Sequence, residues 1–247
     1  MQLEETCSIC NGTGFVIKVV DGVDFAELCE CYGKKLRDNR LKFANIPEAF
    51  KDHRLNSFVA SYYRDKETLN NMVATVKYWF EHLEEAKAKG IGLYFYSNTK
   101  GSGKTRMATS IANELIYKYD MNVRFVTSLD IISEIRATWD RDTEFKSENQ
   151  LLEYLKNTQV LVIDDFGTEV HKDWIDDKFY QIINTRYINK KLTIFTSNYA
   201  LKELKYDERI ISRITEMAYE VHFPEESIRD YIASVRQEQL QNSGGTK

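Results

Sequence analysis

The stretch Gly92-Leu93-Tyr94-Phe95-Tyr96-Ser97-Asn98-Thr99-Lys100-Gly101-Ser102-Gly103-Lys104-Thr105 runs from an apolar segment through a glycine-bearing turn into a helical pattern. Aligned to Gly-x4-Gly-Lys-Thr, it departs only at Asn98, which takes the first glycine's position. A strand, a tight loop and a helix N-terminus in that order aim backbone N–H groups at one point, which makes an anion site. Glycine reaches the required backbone angles easily. Asn is among the few other residues that tolerate the left-handed region, so its presence at position 98 is expected to be mild. The motif assigns phosphate binding to Asn98, Thr99, Lys100, Gly101, Ser102, Gly103, Lys104, Thr105 and Arg106. Lys104 is expected to bridge the β- and γ-phosphates and Thr105 to hold Mg²⁺. An incidental Gly-Lys-Thr turn would not need a strand before it and an amphipathic helix after it.

Further along, Val160-Leu161-Val162-Ile163-Asp164-Asp165 sets four apolar residues before two carboxylates. An all-apolar strand is buried on both faces, and acids at its C-terminal end meet the edge where open α/β sheets bind ligands. Asp164 is expected to hold Mg²⁺ through water, and Asp165 to polarise the attacking water. Another strand, Leu192-Thr193-Ile194-Phe195, leads into Thr196-Ser197-Asn198. Asn198 is the expected orienter of that water; a turn residue before Tyr199 is the plainer reading.

Around these motifs, strand-like and helix-like segments alternate. Strands are expected at 91–97, 122–127, 160–164, 192–197 and 218–222. Helices are expected at 69–89, 104–118, 128–138, 148–157, 174–189, 207–215 and 225–239. This predicts a P-loop α/β fold, a five-stranded parallel sheet with helices on both faces. The 247 residues carry 34 Lys+Arg against 38 Asp+Glu, a formal charge of −4. That balance excludes a chain-wide basic surface but leaves room for a local basic groove. No apolar run approaches the ~18 residues of a membrane span, and Met1-Gln2-Leu3-Glu4-Glu5 lacks a signal-peptide core, so a cytoplasmic location without membrane contact is expected.

All four cysteines lie near the start, as Cys7-x2-Cys10 and Cys29-x-Cys31. Two close pairs can supply a tetrahedral structural zinc site, with two short strands between them around Asp21-Gly22. A redox pair at Cys7/Cys10, or unrelated cysteines, are the other readings; disulfides do not suit a reducing compartment. The basic run Lys34-Lys35-Leu36-Arg37 and Arg40-Leu41-Lys42 suggests a short helix with a solvated or partner-binding face, followed by a connector at Ile46-Pro47. The expected organisation is a zinc-binding module at 1–45, a linker at 46–66, a nucleotide-binding domain at 67–240 and a disordered tail at 241–247.

Taken together, Lys104-Thr105, Val160 to Asp165-Phe166-Gly167, Thr196-Ser197-Asn198 and the cysteine-rich start resemble AAA+ ATPases of the DnaC/DnaI helicase-loader type. Asp165 stands where most AAA+ proteins carry Glu. The resemblance implies ATP and Mg²⁺ as ligands, structural Zn²⁺, assembly into a homo-oligomer, and an arginine reaching the γ-phosphate from the neighbouring subunit. Arg213 matches that arginine best and Arg209 is the alternate, while Arg229 resembles the second sensor acting in cis. Without the family, each would read as a surface salt-bridge residue. The resemblance also implies that the zinc module holds a hexameric replicative DNA helicase, that ATP favours an oligomer gripping single-stranded DNA, and that hydrolysis releases the helicase. Arg136, Trp139, Arg141 and Lys146 flank a polar loop that either contacts single-stranded DNA or is simply solvated. Two alternatives remain: an IstB-like transposition helper with the same core, and a nucleotide-gated helicase-binding adaptor or inhibitor with negligible turnover.

Overall fold

A computed structural model describes residues 7–140, 147–170 and 172–243. The chain opens with an antiparallel hairpin, β1 (Phe15–Val20) and β2 (Val23–Leu28), joined at Asp21-Gly22 as expected. Helix α1 (Cys31–Ala44) starts on the last cysteine and is longer than the basic run suggested. The following connector is not a loose linker. It forms three short 3-10 turns, and Ala44, Ile46 and Tyr63 are buried in the main core. Asn113 fastens it by donating to Phe50 O and His53 O.

The expected helix over 69–89 is two helices, α2 (Lys66–Glu81) and α3 (Leu83–Lys89). The break falls at His82, whose ring nitrogen hydrogen-bonds Tyr78 O at 2.9 Å and whose ring stacks on Tyr78. A side chain that engages the preceding turn in this way competes with continued helix. The sheet comprises β3 (Gly92–Tyr96), β4 (Val123–Thr127), β5 (Val160–Phe166), β6 (Leu192–Ser197) and β7 (Ala218–His222). All pairs are parallel, in the order β4-β5-β6-β3-β7. The intervening helices are α4 (Lys104–Tyr119), α5 (Ser128–Asp140), α6 (Glu148–Asn157), α7 (Asp173–Ile188) and α8 (Glu208–Met217).

Strand alternation sorts the core into two layers. Val160, Val162, Leu192 and Ile194 pack with α2 and α4, whereas Leu161, Ile163 and Phe195 pack with α5 to α8. Continuing that phase, Asp164 and Thr196 belong on the α4 face. A bulge between Ile163 and Phe166 then resets the strand and returns Phe166 to the opposite layer. The last helix, α9, spans Ile228–Ser243 rather than 225–239, so it runs into the stretch expected to be disordered. Residues 244–247 lie outside the described residues. Among the described residues no helix is long and apolar enough to cross a membrane.

Candidate functional site

The loop after β3 carries its positive φ angles at Gly101 (78°) and Gly103 (103°), not at Asn98. Asn98 therefore needs no left-handed tolerance; the first position of the motif accepts a side chain because that side chain faces solvent. At Gly103 a Cβ would lie 2.5 Å from the Tyr63 hydroxyl, which donates to Ser102 O at 2.7 Å, so the loop rests directly on the connector. Lys104 is 5% exposed, and its ammonium donates to Ser97 O (3.1 Å), Thr99 O (3.1 Å) and Ser102 Oγ (3.2 Å). Burial pushes it below the ordinary lysine range. Among the described residues no carboxylate pairs with it, so a buried cation waits on neutral oxygens at the N-terminus of α4.

Thr105, in the first turn of α4, donates to Asp164 Oδ1 at 2.9 Å, with Oδ2 at 3.2 Å. Thr196 Oγ1 also donates to Asp164 Oδ1, at 2.5 Å, and accepts the Asp165 N–H at 3.0 Å. Asp164 is 5% exposed, and burial raises its carboxyl to about 6 against the lowering effect of the Thr196 hydroxyl. Asp165 sits at φ 54° in the bulge with its side chain exposed, so the two neighbouring carboxylates point to different places. Hard oxygen ligands from a threonine and a carboxylate on facing elements suit Mg²⁺ bound with phosphate. Within Thr196-Ser197-Asn198 it is Thr196 that meets Asp164, a contact the expectation for Asn198 does not include. The parity of β6, with Ile194 on the α4 face, is the signal that would have found it.

Asn198 follows β6 and is half-buried. Arg106 donates to Ser57 O at 2.8 Å and so reaches the connector. Arg229 is brought to the loop: its N–H lies 3.3 Å from Gly101 O, and a Cβ on Gly101 would meet its own Cβ at 3.0 Å. Arg213 and Arg209 turn instead to α7. Arg213 donates to Asn184 at 3.2 Å and lies over the Tyr187 ring, while Arg209 pairs with Asp207 and lies over Tyr180. Trp139 packs against Trp174, ring centroids 5.3 Å apart, and Arg136 lies 5.5 Å over Trp174. Trp174 was not anticipated, since the pairing joins α5 to α7. Arg141 and Lys146 lie outside the described residues.

At the other end of the chain the Sγ atoms of Cys7, Cys10, Cys29 and Cys31 all lie within 4.8 Å of one another. Cys7 and Cys29 are 3.7 Å apart and Cys10 and Cys31 are 3.3 Å apart. Zinc–sulfur bonds of ~2.3 Å in a tetrahedron imply sulfur separations of about 3.8 Å, so the donor set fits zinc. The Gly14 N–H reaches Cys10 Sγ at 3.3 Å and holds that thiol down to about 6, favouring the thiolate a metal requires.

The model of the IstB-like ATP binding protein family matches residues 95–230. This chain belongs to that family. The replicative helicase loader DnaC of Escherichia coli K12 is 30% identical over 126 residues, covering 50% of each chain. The loader DnaI of Bacillus subtilis is 35% identical over 121 residues, 48% of this chain and 36% of its own. The chain thus spans half the length of DnaC and about a third of DnaI in these matches. The crystal structure of DnaI superimposes with a TM-score of 0.57 at 26% identity, covering 72% of this chain and 95% of that one. The nucleotide-binding part is accordingly an IstB/DnaC-type AAA+ domain.

Proposed function

We propose that this chain is an ATP-dependent loader that places a hexameric replicative DNA helicase on single-stranded DNA in the cytoplasm. The observation that carries the nucleotide reading is Lys104, a buried ammonium that donates to three neutral oxygens, set beside the Thr105–Asp164–Thr196 array. Similarity to proteins named helicase loaders supplies the client.

Lys104 would exchange its loop oxygens for the β- and γ-phosphate oxygens of ATP. Thr105 and Asp164 would hold Mg²⁺, which when bound neutralises phosphate charge. Asp165 would take up the proton of the attacking water, with Asn198 orienting it. Arg213, engaged with α7 of its own chain, would reach the γ-phosphate of a neighbouring copy, with Arg209 as alternate. Arg229 would register the nucleotide in cis. Arg136 with the Trp139–Trp174 pair offers a surface on which bases of single-stranded DNA would stack. The four cysteines would hold structural zinc and shape the module that grips the helicase.

Isothermal titration with ATP and ADP, in wild type and Lys104→Ala, tests the core of this reading: saturable heat is expected only in wild type. Capture of the organism's replicative helicase with and without ATP tests the client. The family model's own name favours a second reading, an IstB-like transposition helper. Nucleotide binding without any capture of the helicase would select it. Phosphate release that DNA does not stimulate and Lys104→Ala does not change would point to an adaptor.

A further inference from the structure

The turn between β7 and α9 carries two adjacent carboxylates that face different segments. Glu226 accepts the N–H of Arg64, at 2.9 and 3.0 Å, and of Asp65, at 2.7 Å, and so binds the connector. Glu225 turns to the phosphate loop. It accepts the N–H of Asn98 at 3.0 Å, the N–H of Thr99 at 2.8 Å and the Ser97 hydroxyl at 3.0 Å. His222 Nε2 lies 3.0 Å from the same carboxylate and orients it. Three residues later, the N–H groups of Ile228 and Arg229 reach Gly101 O at 3.0 and 3.3 Å. One short turn therefore grips the loop at its start and at its crest.

These contacts use the N–H groups of Asn98 and Thr99 and the carbonyl of Gly101, and take up no donor of the α4 N-terminus. The first turn of α4 leaves the N–H groups of Lys104, Thr105 and Arg106 without acceptors inside the helix, and Glu225 engages none of them. Burial alone would raise the Glu225 carboxyl, yet hydrogen bonds from His222, Thr99, Asn98 and Ser97 bring it to about 2, so it is ionised at neutral pH. An anion beside a triphosphate site would, by charge alone, weaken binding. Holding the loop in shape would strengthen it. The two effects have opposite signs, and the geometry favours the second, because charge-assisted bonds to two successive loop amides fix the segment where the motif lacks its glycine.

We propose that Glu225 is a positioning residue for nucleotide binding, fixing the start of the phosphate loop in its phosphate-ready shape in a chain whose first loop position is Asn98. The proposal rests on the nucleotide reading above. Without Glu225 the loop is competent for only a fraction of the time, and apparent affinity falls by that fraction. Bound nucleotide restores the shape, so the loss falls on the dissociation constant rather than on kcat.

The test uses the full chain as wild type, Glu225→Ala, Glu225→Gln and Glu226→Ala, with ATP titrated by calorimetry and amide hydrogen exchange followed without nucleotide. Glu225→Ala is expected to bind ATP about tenfold or more weakly, with kcat at saturation within about twofold. Glu225→Gln keeps an acceptor oxygen at the same reach and is expected to recover most of the affinity, while Glu226→Ala stays near wild type. Protection of the Asn98 and Thr99 amides is expected to drop in Glu225→Ala while the β5 amides are unchanged. Equal or tighter ATP binding in Glu225→Ala, or unchanged protection at Asn98 and Thr99, overturns the proposal. If Glu225→Ala does not fold, Glu225→Gln binding ATP more tightly than wild type does so, because repulsion is then the larger effect. Absence of ATP binding in wild type would instead overturn the nucleotide reading, and the exchange data would still report whether Glu225 holds the loop.

Discussion

Replacing Asp164 with asparagine should stabilise the nucleotide-free protein at neutral pH while removing its magnesium-dependent grip on ATP. The carboxyl lies 5% exposed between two hydroxyl donors, and burial pushes it up to about 6. An ordinary aspartate titrates near 3.9, so the gap of about 2 pH units corresponds to roughly 3 kcal/mol. Between about pH 4 and pH 6 the folded chain holds a proton that the unfolded chain has released. Raising the pH through that window therefore favours unfolding, and the full cost is present above it. Asparagine has no such cost, but its amide oxygen is an uncharged acceptor for the Thr105 and Thr196 hydroxyls and its NH2 group takes the place of Oδ2 beside Thr105, a loss of about 1 kcal/mol at every pH. The expected balance is a variant about 1 kcal/mol less stable at pH 4 and about 2 kcal/mol more stable at pH 7. Urea unfolding of both proteins in magnesium-free buffer at pH 4, 5, 6 and 7 measures the difference, with equal m-values as the check that one transition is being compared. ATP with magnesium at about 100 times the dissociation constant should then add about 2.7 kcal/mol to wild type and nothing to the variant. A stability difference that does not change from pH 4 to pH 7, or that moves in favour of wild type as the pH rises, refutes the reasoning.

Protein purified under reducing, chelator-free conditions should contain one zinc per chain by elemental analysis, and Cys10→Ser should lose it while Lys104-dependent ATP binding persists. Arg213→Ala should lower ATP turnover about a thousandfold or more with ATP affinity nearly unchanged; oligomers mixed from Arg213→Ala and Lys104→Ala should recover activity, and failure to recover would place the arginine's role within its own subunit. Arg186 is fully buried and donates to Leu155 O, Thr158 O, Leu192 O and Thr193 Oγ1, so Arg186→Met, which orphans these acceptors, should cost more than about 3 kcal/mol in urea unfolding.

The succession of strands and helices was legible because each segment's apolar period is a local property. The phosphate loop and the β5 carboxylates were legible because their chemistry constrains residue type at fixed offsets. What escaped depended on pairings made across the fold. His82 ends a helix through its own side chain in a stretch whose apolar spacing gives no warning. Thr196 matters only because β6 lies beside β5, and Trp174 only because α7 packs beside α5. Glu225 looks like an ordinary surface acid until the turn after β7 is folded onto residues 97–99, well over a hundred positions earlier in the chain. Asn98 is accommodated by an exposed side chain at a position without positive φ, which the residue's general tolerance of the left-handed region does not reveal.

The same long-range contacts explain how the cysteine module and the nucleotide site come to share one framework. Helix α4 begins at Lys104 and ends at Tyr119; at 1.5 Å per residue its 16 residues span about 24 Å. Its far end receives the module and the connector: Arg40 pairs with Asp120, and Arg37 of the module and Arg54 of the connector lie over the Tyr117 ring. Each such surface contact contributes about 1 kcal/mol or less, so they set orientation more than adhesion. Adhesion comes from Ala44, Ile46 and Tyr63, which are buried in the core cluster that also holds Met107 and Ile111 of α4. Tyr63 belongs to both sets, since its ring lies in that core and its hydroxyl holds Ser102 O of the phosphate loop. Displacing Tyr63 would therefore disturb the loop at Ser102 and the connector together, so the packing that seats the connector also supports the loop.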